Sequence, residues 1–462
     1  MMMNIFEKMI LKQNQNEASQ NGITRKDFLL TSAKAFGAVM VSPYLLSRCG
    51  SGGRATSPAQ AQQNVINFYA KVENVGIGKV TPELEALVKY MYTPEECMVV
   101  QHLFLFLGRT ANAIFRDNDT GGMSESQIEA ILYRLAAKEL LFYYGQDQME
   151  DLGAHFDNRK PSTYPHANMT PPLYYSILSL LPGLFENSLV KGAANDPFKQ
   201  ELARRWDTLF ESGYSKDLWI VQNRVNATRY IPIEKTIDRN YTTFPSDSLS
   251  DVLKGAGSIA VSFCQCKQAR KYSGFNDCIS STMETCMTTG VLAEHLIGKG
   301  VMRRVDFSEA LDIKVKANES GLVTWGLNLG ENQANFYCSC CKCCCFILRN
   351  MTEYNLPGFH VQGNYYPEQK ENTTCVKCGK CVSVCPVNAR KFVTDSGGNR
   401  LYVEVDSNRC IGCGVCNVKC TKSILTMKRF DNAKAAPEDF GDLAVEFGEY
   451  FVTQQIKKLL GL

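Results

Sequence analysis

Two cysteine runs near the C-terminus constrain this chain more than anything else in it. The first reads CVKCGKCVSVCP, with Cys375, Cys378, Cys381 and Cys385 ahead of Pro386; after a spacer of 24 residues the second reads CIGCGVCNVKC, with Cys410, Cys413, Cys416 and Cys420. Each is a CxxCxxCxxxC run, a spacing that suits a pair of 4Fe-4S cubanes. Three thiolates on one tight loop reach three corners of a cube, whereas the fourth is carried off by the following chain and ligates the other cube. The spacing therefore predicts Cys375, Cys378, Cys381 and Cys420 around a first cluster, and Cys410, Cys413, Cys416 and Cys385 around a second. Gly379, Gly412 and Gly414 fit loops whose backbone amides point at sulfur. A zinc ribbon would need only CxxC pairs, and a disulfide framework would need a small oxidised domain. One departure is Thr421, which follows Cys420 where a proline is commoner; it removes no ligand.

The cysteines are concentrated. Of 20 in 462 residues, 18 lie between Cys264 and Cys420, with only Cys49 and Cys97 outside. Such clustering points to metal, since disulfides would be spread over a large secreted chain. A net charge of +3 is too small to argue for a nucleic acid or an acidic substrate, and 45% hydrophobic with 21% charged residues is ordinary for a globular protein. With five histidines and no CxxCH, haem c is not carried.

The leading stretch TRKDFLLTSAKAFGAVMVSPYLLSRCGSGG places Arg25, Lys26 and Phe28 before a weakly apolar run. It resembles a twin-arginine signal, with Lys26 where a second arginine would stand. The polar SGGRATSPAQAQQ that follows reads as a cleavage region or tether, with Ala59 and Ala61 offering an AxA site and Cys49 a poor lipobox. Export of a prefolded protein suits clusters assembled in a reducing cytoplasm. The expected location is the periplasm or the outer face of the cytoplasmic membrane, with the cytoplasm as the alternative. No other stretch is apolar enough to span a membrane, although an N-terminal tether fits.

Farther along, Thr81 ahead of Pro82 starts a helix, and Thr93 with Glu96 and Ser124 with Gln127 form capping boxes before helical runs. The strand-like LLFYYG then completes a winged-helix-like unit. Its third helix carries Glu125, Glu129 and Glu139 against Arg134 and Lys138, so it lacks the basic face that phosphate contact needs, and a scaffold or docking role is favoured over DNA reading. Beyond it an apolar helix is expected around Leu173 to Leu181, a helix with Asp196 as its N-cap, and an extended ATRYIPIEKTI segment.

A second cysteine territory follows. Cys264, Cys266, Cys278 and Cys286 come after a buried-strand-like run from Ile259 to Phe263, and FYCSCCKCCCFILRN packs Cys338, Cys340, Cys341, Cys343, Cys344 and Cys345 into eight positions. Adjacent cysteines do not easily face one metal, because successive side chains diverge. A subset, first of all Cys264, Cys266, Cys278 and Cys286 with help from the later run, is expected to form one or two further sites. Iron–sulfur is preferred there and structural zinc is the rival.

The order AVSFCQC, GLVTWGLN (Gly321 to Asn328), YCSCCKCCC and the two-cluster run resembles a group of bacterial and archaeal 4Fe-4S dicluster-domain proteins, over about Thr81 to Met427. Lys267 stands where that group usually has arginine. The resemblance implies iron–sulfur binding and electron transfer to or from a partner protein, and supplies no substrate. Reductive dehalogenases are similar in length, signal and C-terminal clusters but lack a block like YCSCCKCCC.

The expected fold is α+β: a signal and tether (1–62), a mainly helical winged-helix-like unit (63–150), a mixed connector (151–250), a Cys-rich α/β region (251–365), a bacterial-type ferredoxin domain (366–430) and a capping helix (431–462). The expected function is one-electron relay. The alternatives are a DNA-binding iron–sulfur sensor and a dehalogenase-like reductase. No GxGxxG, GxxxxGKS, HExxH or nucleophile–base pair marks a catalytic centre, and His102, His295 and His360 read as structural. Glu368, Glu371, Asp395, Glu404 and Asp406 against Lys377, Lys380, Arg390, Lys391 and Lys419 leave the sign of a docking partner open.

Overall fold

A computed structural model of the chain describes residues 56–73, 79–105, 108–145, 172–217, 228–238, 240, 242–356 and 363–438. The twin-arginine-like stretch, His360 and the closing helix expected from Asp439 lie outside them.

Five helices open the described chain: α1 (Pro58–Glu73), α2 (Pro82–Met91), α3 (Pro94–Val100), α4 (Ala111–Phe115) and α5 (Glu125–Ala137). Their starts follow local chemistry. Thr81 caps α2 by accepting from the Leu84 amide, and Thr93–Glu96 and Ser124–Gln127 close both halves of a capping box at α3 and α5. Helix α1 corrects one expectation. Ala59 and Ala61 are not in a loose tether: Ala61, Val65, Ile66, Tyr69 and Ala70 fall at helical spacing and are buried in the core.

Strand β1 (Phe142–Tyr144) pairs antiparallel with β2 (Tyr174–Ser176). The apolar helix expected at Leu173 to Leu181 is therefore absent. The exposed edge of β1 recruits Tyr174–Ser176 as a strand, and this tertiary pairing overrides a run that looks helical in isolation. Helices α6 (Phe185–Leu189) and α7 (Pro197–Glu211, capped by Asp196) finish this helical layer. Its core is continuous, from Val65 and Leu84 through Leu132 to Trp206 and Phe210.

The rest is organised on a six-stranded antiparallel sheet in the order β3 (Thr228–Ile231), β7 (Val323–Leu327), β8 (Phe336–Cys340), β5 (Glu284–Thr289), β4 (Ile259–Phe263), β6 (Arg303–Val305). The connections carry α8 (Leu249–Lys254), α9 (Gln265–Tyr272), α10 (Gly290–Gly298) and α11 (Phe307–Ser320), and α12 (Phe346–Thr352) follows β8. The C-terminal part contains β9 (Tyr365–Gln369), α13 (Lys380–Ser383), the hairpin β10 (Arg390–Thr394) with β11 (Arg400–Val405), α14 (Val415–Val418) and β12 (Leu425–Arg429), which pairs with β9. The molecule is thus mixed helix and sheet with a C-terminal ferredoxin-like domain.

Helix α7 ties these parts together. Phe346 stacks between Phe185 and Phe210 at ring-centroid distances of 4.6 Å. Arg270 on α9 and Arg349 on α12 both donate to Asp207 and Glu211 of α7. Each arginine lies just after cysteines, so α7 clamps the elements carrying the upstream thiols.

Candidate metal centres

The two C-terminal loops repeat each other in backbone conformation. Left-handed residues fall at the same offsets from the first cysteine of each run: Lys377 and Gly412 (φ 55° and 67°), Gly379 and Gly414 (φ 81° and 79°), Asn388 and Ser423 (φ 54° and 50°). Gly379 and Gly414 each start a short helix that carries the third cysteine of its run. Glycine is required at two of these places. A Cβ on Gly412 would lie 2.6 Å from the Tyr365 carbonyl oxygen, and one on Gly414 would lie 2.5 Å from Thr236 Oγ1.

The fold gathers the eight thiols in two sets. Cys375, Cys378, Cys381 and Cys420 line one cavity of about 140 Å³, shared with Pro367, Arg390 and Ile424. Cys385 lies within electrostatic reach of Cys410, Cys413 and Cys416, and Cys381 within reach of Cys416. Donors converge on sulfur: the Lys377 amide reaches Cys375 Sγ at 3.4 Å, the Ala389 amide reaches Cys385 Sγ at 3.2 Å, and Arg390 Nη2 lies 3.6 Å from Cys381 Sγ. The amides of Gly412 and Val415 bond Cys410 and Cys413. Burial pushes the Cys410 thiol up to about 11 and Cys416 up to about 12. Lone thiolates are disfavoured there, which a bound cation reverses. The donor set and the cavity fit iron–sulfur clusters.

Two charges that sequence alone places on a docking surface are taken up within the molecule, one of them buried. Arg390 is 7% exposed beside Cys381, and Lys419 donates to the Glu319 carbonyl at 2.6 Å. His102 is buried and bonded to Asp117 at 2.7 Å, and His295 is buried against the Phe142 ring.

The ten upstream cysteines divide differently from the expected grouping. Cys278 separates from Cys264, Cys266 and Cys286 and joins Cys341, Cys343 and Cys344, with all four Sγ atoms within 4.8 Å of one another. Cys278 and Cys341 are 3.7 Å apart, Cys278 and Cys343 3.8 Å, and Cys343 and Cys344 3.8 Å. A tetrahedral ion with metal–sulfur bonds of about 2.3 Å has sulfur–sulfur edges of about 3.8 Å. A cubane, with its iron and sulfide between the thiolates, would hold them farther apart.

The remaining six make side-chain contacts that close a ring. Cys264 lies within interaction reach of Cys266 and Cys286, Cys286 of Cys338, Cys338 of Cys340, Cys340 of Cys345, and Cys345 of Cys266. Sheet geometry explains half of it. Cys338 and Cys340 are two apart on β8 and share a face, and Cys286 on β5 adjoins Cys338 one step along from the Met287–Tyr337 pair. On the neighbouring strand Trp325 is opposite Cys338, and its Nε1 donates to Cys340 Sγ at 2.6 Å. Lys314 on α11 is fully buried, its Nζ bonded to the Thr285 and Tyr337 carbonyls and to Ser339 Oγ. Lys267, 2% exposed, donates to the Thr282 carbonyl. Lys314 and Trp325 carry no sequence signal for this role, since one reads as a surface charge of an amphipathic helix and the other as a core aromatic.

Thiols on two matching loops, with amides and an arginine directed at sulfur, define an iron–sulfur redox protein with a ferredoxin-like C-terminal domain. Residues 374–424 match the 4Fe-4S dicluster domain family. Among curated proteins, the chain is 31% identical over 98 residues to UacF of Escherichia coli (strain K12), which is named as an oxidoreductase, covering 20% of this chain and 14% of that protein. It is 30% identical over 63 residues to the archaeal-type glutamate synthase (NADPH) of Thermotoga sp. (strain RQ2), covering 14% of this chain and 12% of the relative, and equally to that of Thermotoga maritima. The chain therefore spans only a small part of these relatives' length. No solved structure matches it.

Proposed function

We propose that this protein is a one-electron relay holding two 4Fe-4S clusters by crossed ligation, Cys375, Cys378, Cys381 and Cys420 around one and Cys410, Cys413, Cys416 and Cys385 around the other. The observation that carries this is the repeated loop, which gathers three thiols of each run and sets Cys385 beside the opposite three. A 4Fe-4S cluster supplies exchange of single electrons. The chain tunes it: amides at Cys375, Cys385, Cys410 and Cys413 and the Arg390 guanidinium favour added negative charge, and so raise the potential. The first site is the outer one. Cys378 is exposed and Val376 is 55% exposed, whereas Cys413 and Cys416 are buried, so a redox partner meets the Cys375–Cys381 loop and electrons pass inward.

In the same proposal, the Cys278–Cys341–Cys343–Cys344 tetrad holds one tetrahedral zinc ion that staples the 273–283 loop to the end of β8, as its sulfur–sulfur edges support. The α1–α5 helices with the β1–β2 pair act as a winged-helix-like docking module, and the protein works outside the cytoplasm. Iron, sulfide and zinc analysis of anaerobically purified protein, with EPR after reduction, tests the relay. Colourless protein without labile sulfide would sink it. An organic chromophore such as a corrinoid or flavin would favour the reductase alternative.

A further inference from the structure

The ring of Cys264, Cys266, Cys286, Cys338, Cys340 and Cys345 has more sulfur than one tetrahedral ion can use, and the contacts close on themselves. Its setting is chemically lopsided. Lys314 is fully buried and its ammonium is bonded to neutral groups, with no carboxylate paired to it among the described residues. The groups that favour its charge are Cys286, Cys338, Cys340 and Cys264. Lys267 is buried beside Cys264 in the same way. A buried ammonium is stabilised by nearby negative charge. Six neutral thiols do not provide it, whereas thiolates bound to metal do.

The ring also lies in the path to the ferredoxin-like domain. Tyr230, Trp325 and Cys338 are in register across β3, β7 and β8, so they share a sheet face. Tyr230 is within electrostatic reach of Cys345, Cys340 and Cys338 of the ring and of Cys413. One buried apolar cluster contains Cys340, Cys345, Tyr230, Trp325, Cys385 and Cys413. The zinc tetrad belongs to a different cluster, around Ala317 and Leu322.

We propose that the six-thiol ring holds a polynuclear iron–sulfur cluster, a redox centre separate from the C-terminal pair and from the zinc tetrad. The metal site stands on the ring itself. Its place in a relay rests on the function proposed above: a cluster held there would exchange single electrons with one held by Cys385, Cys410, Cys413 and Cys416, each electron gained by one being lost by the other, with no bond made or broken to any third reactant.

Native mass spectrometry and iron analysis of the unaltered, full-length, anaerobic protein give the first test. The expected result is iron beyond the roughly eight atoms of a cubane pair. A mass equal to chain, two cubanes and zinc alone, whether the zinc sits at the tetrad only or also fills the ring, overturns the proposal. Cys338→Ser should remove one spectral component while the components lost in Cys378→Ser and Cys413→Ser persist. Because Cys338→Ser can fail to fold, Lys314→Met, which keeps every ligand, is the second variant. Removal of its positive charge should shift the potential of the ring component downward in a redox titration and leave the others in place. An unshifted ring component overturns the assignment of Lys314 as its counter-charge. Loss of all effects of Cys378→Ser and Cys413→Ser, with the ring signal intact, would instead refute the C-terminal reading and leave the ring standing.

Discussion

Asp207 and Arg349 meet in the interior, Nη1 to Oδ1 at 3.3 Å, with side chains 3% and 1% exposed. The same carboxylate takes Arg270 Nη1 at 3.0 Å. One acidic residue on α7 therefore holds the helix that follows Cys264 and carries Cys266, and the helix that follows Cys345. Removing it leaves a guanidinium buried with only the half-exposed Glu211 and Glu353 for partners. Asp207→Ala should cost about 3 kcal/mol of stability, measured by denaturant unfolding. The iron assigned to the six-thiol ring should fall before that of the C-terminal pair.

Backbone geometry at the second loop gives a controlled comparison. Gly412→Ala meets both a left-handed φ of 67° and the Tyr365 carbonyl, whereas Gly398 in the β10–β11 hairpin has φ 79° with open space around it. Gly398→Ala should cost about 1 kcal/mol from conformation alone. Gly412→Ala should cost more and should disturb the spectral component of the second cluster. Equal effects of the two substitutions would show that the close approach at Gly412 does not matter.

Crossed ligation predicts selective damage. Cys378→Ser should alter one EPR component and Cys413→Ser the other, each with loss of up to half of the C-terminal iron. If either substitution erases both components while circular dichroism stays unchanged, the two sites are not separable in the way the loops imply.

The zinc tetrad should be spectroscopically silent in redox experiments. X-ray absorption at the zinc edge is expected to give four sulfurs at about 2.3 Å, and Cys343→Ser should release one equivalent of zinc with iron and EPR unchanged. Zinc removal should also open the 273–283 loop to protease. A single iron at this position, detected by its own spectrum, would contradict the assignment.

The matching backbone of the two C-terminal loops follows from the repeated spacing of their cysteines, because a short loop cannot scatter three cysteines two residues apart. The capping boxes at Thr93 and Ser124 and the N-cap at Asp196 were equally local and equally readable. Ala61 and the segment from Leu173 were misread because their fate depends on distant partners, a helical core in one case and the edge of β1 in the other.

The sorting of the ten upstream cysteines was decided by tertiary structure alone. Cys340 and Cys341 are neighbours in sequence, yet one joins a ring with Cys264 and Cys286 and the other a tetrad with Cys278. At the end of β8 successive side chains point apart, whereas Cys343 and Cys344 in the turn beyond it meet at 3.8 Å, and which sulfur meets which is set by strand register, that turn and the α7 clamp. Composition and spacing establish that metal chemistry resides in this chain. The placement of Lys267, Trp325 and Tyr230 beside the ring, and of Lys314 on the opposite face of its sheet, comes only from the packed structure, because burial of charge is a property of surroundings that a linear pattern does not carry.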